Sequence, residues 1–112
     1  MKMFYPITLD KVRNFRFGMK SMSLIEKKLK KPITKIDMDS LSIEDMATLI
    51  WAGLVHEDKN LTPDKVMDLV DDYSDLGTVM KTLEEAFSGA FGAEGEQAEE
   101  KNGQGAAEKN SA

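Results

Sequence analysis

Few side chains in this sequence are of a type and spacing that could do chemistry. Asp68, Asp71, Asp72 and Asp75 cluster closely enough to invite a calcium reading. A calcium loop, however, alternates its ligands every second residue around a central Gly and closes on a Glu. Spacings of three and four put these carboxylates on one side of a helix instead, where a solvated face explains them. His56, Glu57 and Asp58 offer a metal three ligand types in a row, but consecutive residues seldom converge on one ion, and the chain has no second His to join them. A polar turn accounts for them better. The absence of Cys removes thiolate metal sites, disulfides and a Cys nucleophile together. Ser and Thr occur without a G-x-S-x-G elbow, and there is neither a phosphate-cradling Gly loop nor an H-E-x-x-H pair. The expectation is a protein that is not an enzyme and carries no metal or cofactor.

The elements that would position any site can be read from periodicity. Residues 4–9 and 12–17 are short runs rich in β-branched and aromatic side chains, joined by Asp10-Lys11, and predict a hairpin with a two-residue link. Pro6 cannot donate a ladder bond, which confines the first run to an edge. Met19, Met22, Ile25 and Leu29 then fall at helical spacing over residues 18–30, with Pro32 as the stop. For the second helix, Ser42 is the cap, Asp45 stands in the place of a capping-box acid and Leu41 can staple onto Met46. It runs to about residue 55 with Met46, Leu49, Ile50 and Leu54 inward, and Gly53 inside it implies close contact with another helix or fraying. Thr62 and Pro63 open a third helix, with Val66, Leu69, Val70 and Tyr73 inward. A fourth begins near Asp75 and places Leu76, Val79, Met80, Leu83, Phe87 and Phe91 on one stripe. The predicted fold is mainly α: a small four-helix domain over residues 1–91 with a short N-terminal β-hairpin. Residues 92–112 contain no large apolar side chain and predict a disordered acidic tail of Gly, Ala and Glu.

With 112 residues there is room for one small domain. At 41% hydrophobic and 31% charged residues, it has enough apolar material to fold. The net charge of -5 argues against a protein whose main task is neutralising phosphates, and no nucleic-acid partner is expected. The start of the chain lacks the apolar stretch of a secretion signal, and no segment approaches the ~20 apolar residues of a membrane span. The expectation is a protein of a reducing cytoplasm with no membrane partner. Charge is also strongly polarised. Residues 1–35 carry ten basic and two acidic side chains, whereas residues 36–92 carry three basic and thirteen acidic. Folding of the two halves against each other is the plain explanation; a basic docking face is the sharper one, densest at Lys27, Lys28, Lys30 and Lys31.

Eight Met in the chain suit both core gaps and adaptable surfaces. Leu83, Phe87 and Phe91 sit near the end of the last predicted helix, where little of the chain remains to cover them. Core packing and partner contact account equally well for Phe87 and Phe91; on the second reading they form, with Leu83 and the four lysines, the candidate contact surface for a partner or for a second copy of the chain.

The stretch Leu49-Ile50-Trp51-Ala52-Gly53-Leu54-Val55-His56-Glu57-Asp58, followed by Asn60-Leu61-Thr62-Pro63-Asp64-Lys65-Val66, closely resembles the central motif of tail assembly chaperones of long-tailed bacteriophages and gene transfer agents. The resemblance extends from Phe15-Arg16-Phe17 to about Phe91. Where related sequences often place Pro before the Asn60-Leu61-Thr62 turn, this chain has Lys59, which leaves the turn less rigid. Trp51, Gly53, Leu54, His56, Leu61 and Thr62, the residues that carry the resemblance, are helix and turn residues and are read as structural.

The resemblance implies a non-catalytic protein of the bacterial host cytoplasm, absent from the mature virion. It would bind the tape-measure protein and help recruit tail tube protein subunits during tail morphogenesis. It also implies a longer product made by programmed frameshifting. Glu-Lys-Asn occurs at residues 100–102 and again at 108–110, and can be encoded with the slippery run A AAA AAC. The alternative is a small helical DNA-binding phage regulator, since short helices and a basic N-terminal third are also found there. Against it stand Glu44, Asp45, Asp64, Asp68, Asp71 and Asp72 on the second and third predicted helices, where a recognition helix should present Arg, Lys, Asn or Gln.

Overall fold

The computed structural model describes residues 4–91, and the predicted tail and its frameshift signal lie outside them. The chain forms a hairpin of β1 (Tyr5–Thr8) and β2 (Val12–Phe15), followed by α1 (Met19–Leu29), α2 (Ile43–Leu54), α3 (Pro63–Tyr73) and α4 (Leu76–Ala90). Two 3-10 turns, Ile33–Lys35 and Met38–Ser40, bridge α1 to α2. The described residues are thus mainly helical with a short N-terminal hairpin, as the sequence predicts.

The hairpin is antiparallel, with Tyr5 opposite Phe15 and Thr8 opposite Val12. That register leaves Leu9, Asp10 and Lys11 in the link, one more residue than predicted. The link lacks the Asn-Gly type sequence that shapes a two-residue turn. It is held by other means: the Leu9 N–H donates to the Lys11 carbonyl at 2.9 Å, and Asp10 grips Arg13 through Nε at 2.9 Å and Nη2 at 3.0 Å. Alternation along the strands turns Tyr5, Ile7, Leu9, Arg13 and Phe15 to the buried side.

The helix starts obey the predicted grammar. Ser42 accepts from the Asp45 N–H, Thr62 from the Lys65 N–H and Asp75 from the Thr78 N–H. Each cap satisfies a donor that the first helical turn leaves without a partner. The Thr78 backbone N–H, then its hydroxyl, lower the pKa of the Asp75 carboxyl. α1 ends earlier than Pro32 requires, because Lys30 takes the left-handed conformation at φ 59° and returns its N–H to Glu26. Such a cap favours Gly, so Lys30 carries a small backbone strain.

α2 is the spine of the domain, and α1, α3, α4 and β2 all pack on it. Leu49, Leu54, Ile25, Phe15, Val66, Val79 and Leu83 meet in one core. Three residues placed inward by periodicity lie outward. Met19 is 90% exposed, Tyr73 57% and Leu76 38%. All three stand at the first or last turn of a helix, where the apolar stripe runs past the neighbour that would cover it.

Candidate functional site

Residues 49–62 form a joint where the hairpin, the end of α2 and the start of α3 meet. β2 pairs with β1 along one edge, which leaves the backbone groups of its other edge needing partners. The end of α2 supplies them. Asn14 donates its N–H to Glu57 Oε1 at 3.0 Å, and its carbonyl accepts from His56 Nε2 at 2.8 Å. That bond requires the imidazole proton on Nε2. Asn14 Nδ2 donates to Glu57 Oε2 at 3.1 Å. In return, the Arg16 N–H donates to the Gly53 carbonyl at 2.9 Å, one of the carbonyls the end of a helix leaves open. Partial burial raises the Glu57 pKa, but the hydrogen bonds from Asn14, helped by His56 and Arg13, outweigh it and hold the carboxyl below its usual range.

Gly53 has a steric reason. A Cβ there would lie 2.6 Å from the Phe17 ring and 2.7 Å from the Phe15 ring. The close contact predicted at Gly53 is therefore with the rings of Phe15 in β2 and of Phe17 just past it, and not with another helix. Trp51 donates its indole N–H to the Leu61 carbonyl at 2.9 Å, closing the turn between α2 and α3. Asp58 accepts from the Asn60 N–H and lies 3.7 Å from Nη1 of the buried Arg13. Asp10 fixes the Arg13 charge, and Arg13 in turn lowers the Asp10 pKa. His56 and Glu57 are thus both engaged by Asn14, whereas Asp58 serves the turn and Arg13, and Leu54 and Leu61 are buried beside them.

The structure divides the surface proposed for partner contact. Leu83 is fully buried and Phe87 is 7% exposed, so neither side chain is available at the surface of the folded domain. β1 packs on α4, and the Phe17 ring, two residues past β2, lies edge-on to Phe87 at 5.6 Å. Periodicity along α4 could not show that an element some seventy residues earlier in the chain would return to this face. Phe91 alone of the three stays open, edge-on to Phe87 at 5.3 Å. Lys27, Lys28, Lys30 and Lys31 are exposed as expected, with Lys28 Nζ 5.6 Å from the centre of the Trp51 ring.

A surface that the sequence did not single out lies at the opposite end of α2. Ile43, Met46 and Ile50 face Met67 and Val70 of α3, and Leu76 closes one side. They enclose a cavity of about 180 Å³ with Asp71 at its margin. Ile43 is 57% exposed at its rim. The only sequence signal was the inner stripe of each helix, which took Met46, Ile50, Val66, Val70 and Leu76 inward and left Ile43 and Met67 unread. Asp68, Asp71 and Asp72 lie on α3, while Asp75 is spent as a cap. Among the described residues, no three His, Asp or Glu side chains converge as a metal site, and no helix is long and apolar enough to cross a membrane. Compared with family models, curated proteins and solved structures, the chain matches none.

Proposed function

We propose that this chain is a phage tail assembly chaperone that binds the tape-measure protein without catalysing a reaction and helps recruit tail tube subunits as the tail is built. The observation that carries the reading is the run 49–66. It supplies the resemblance, and in the fold it is also where side-chain identity is tied most closely to geometry: Gly53 under two rings, Trp51 to Leu61, and His56 and Glu57 along the strand edge. A small domain with an uncovered Met-lined apolar surface is suited to holding the apolar helices of a long partner apart before the tube encloses them. The polar groups of the motif are engaged within the chain, which favours other surfaces for partner contact.

Co-expression of the affinity-tagged chain with the tape-measure and tube proteins of the same gene cluster tests the reading. The expected result is soluble tape-measure protein captured with the chain. Tape-measure protein that is equally insoluble with and without the chain would overturn it. Tight, salt-sensitive binding to duplex DNA would replace it with the regulator reading.

A further inference from the structure

We propose that the groove between α2 and α3 is the seat of an amphipathic helix that presents bulky aliphatic side chains from one face, flanked by Lys or Arg. The inference rests on the tail-chaperone reading for the identity of the partner and adds the chemistry of the segment recognised. At about 180 Å³ the cavity is smaller than the ~300 Å³ at which pockets for small molecules begin, and it suits inserted side chains. Its apolar wall from Ile43 to Ile50 runs along α2 for about 10 Å, the length of two helical turns. Anchors spaced i, i+3 or i+4, and i+7 on a helix match that length. Two of the lining side chains, Met46 and Met67, are the adaptable type that can fit different anchors.

Charge selects the partner. Residues 37–76 contain eleven acidic side chains and two lysines. Asp71 lines the groove itself, and Glu44 lies in the exposed first turn of α2 beside Ile43. An acidic helix would be repelled and a basic one attracted.

Neither residues 92–112 nor residues 1–3 fit as the occupant. Residues 92–112 hold no aliphatic side chain larger than Ala. Residues 1–3 include two Met but reach only about 10 Å in extended form. They begin from Phe4, which lies against His56 beyond the far end of α2, a helix about 18 Å long. The basic α1 of a second copy brings lysines, yet its only well-exposed large apolar side chain is Met19.

The test uses the full chain and a synthetic peptide of about five helical turns, with Leu on one face and Lys on the other, beside a twin with Glu in place of Lys. The expected result is that the Lys peptide shifts the amide resonances of Ile43, Met46, Met67 and Leu76 and binds more weakly as salt rises, while the Glu twin does not bind. Ile43→Ser and Met67→Gln should each weaken binding about tenfold with the circular dichroism spectrum unchanged. Equal binding of both peptides, shifts confined to the α1 lysines, or a dimer abolished by Ile43→Ser would overturn the proposal. The two readings fail separately. Peptide binding without tape-measure capture sinks the chaperone reading, whereas tape-measure capture undiminished by Ile43→Ser and Met67→Gln together sinks the groove.

Discussion

The two ends of α2 are built to opposite rules. At its C-terminal end, the backbone groups of β2 and the open carbonyl of Gly53 find partners within the chain, and the rings of Phe15 and Phe17 close over the one residue without a side chain. At its N-terminal end, Ile43 and Met46 stand over a cavity that α3 and Leu76 only partly close. The contrast separates what holds the domain together from what it can offer to another molecule. Substitution at the first end should therefore change stability, and at the second end association.

The largest effect belongs to the aromatic column that runs from the joint to α4. Phe15, Phe17 and Phe87 follow one another at 5.9 and 5.6 Å. Phe87→Ala leaves a cavity beneath the hairpin and should cost about 3 to 5 kcal/mol in urea unfolding. A loss below about 1 kcal/mol would mean that the column does not bear on the core and would return Phe87 to the surface. Gly53→Ala comes next. Its methyl group must push two packed rings away from α2, and overpacking of this kind costs about 1 to 3 kcal/mol. An Ala variant as stable as the parent would show that the joint is looser than the ring distances require.

Local grammar accounts for much of this fold. Ser42, Thr62 and Asp75 announce three helix starts because a cap is a bond between residues three apart. Periodicity also finds Val66, Val70, Leu49 and Leu54, which are all buried. It fails at Met19, Tyr73 and Leu76, where a helix outlasts its neighbour. It places Leu83 and Phe87 correctly on the inner stripe of α4, but it cannot show that a distant element covers them and removes them from the contact surface. The joint is invisible for a related reason. Asn14 and His56 are 42 positions apart and meet through a backbone carbonyl, which every residue has. The groove escaped notice because an apolar residue beside a gap reads the same as one in the core.

The next effect is smaller and depends on pH. The Glu57 carboxyl is held below its usual range, so its ionised form is favoured in the folded chain. The stability it contributes is complete above the usual carboxylate range and is lost as pH falls through the lowered folded value. Glu57→Gln removes that contribution. Because the pair is exposed, it should cost about 1 kcal/mol or less at neutral pH. Below the folded value the difference from the parent should close, because the parent's carboxyl is then protonated as well. A gap that persists unchanged in strong acid would mean that Glu57 acts through packing and not through its charge on Asn14.

The smallest change in stability is expected at Ile43, and its smallness carries the contrast between the two ends. The side chain is 57% exposed, so less than half of its apolar surface leaves water on folding. Full burial of an Ile is worth about 1.5 to 3 kcal/mol, which makes the share lost in Ile43→Ser about 1 kcal/mol or less. The position opens α2, just after the Ser42 cap, where a small polar residue is compatible with the first turn. The bond from the Asp45 N–H to Ser42 does not involve the Ile43 side chain and should survive. Urea unfolding should thus barely separate Ile43→Ser from the parent, while binding of the basic amphipathic peptide falls about tenfold. If Ile43→Ser instead lowers stability as far as Phe87→Ala does, the groove is part of the core and both ends of α2 serve the fold alone.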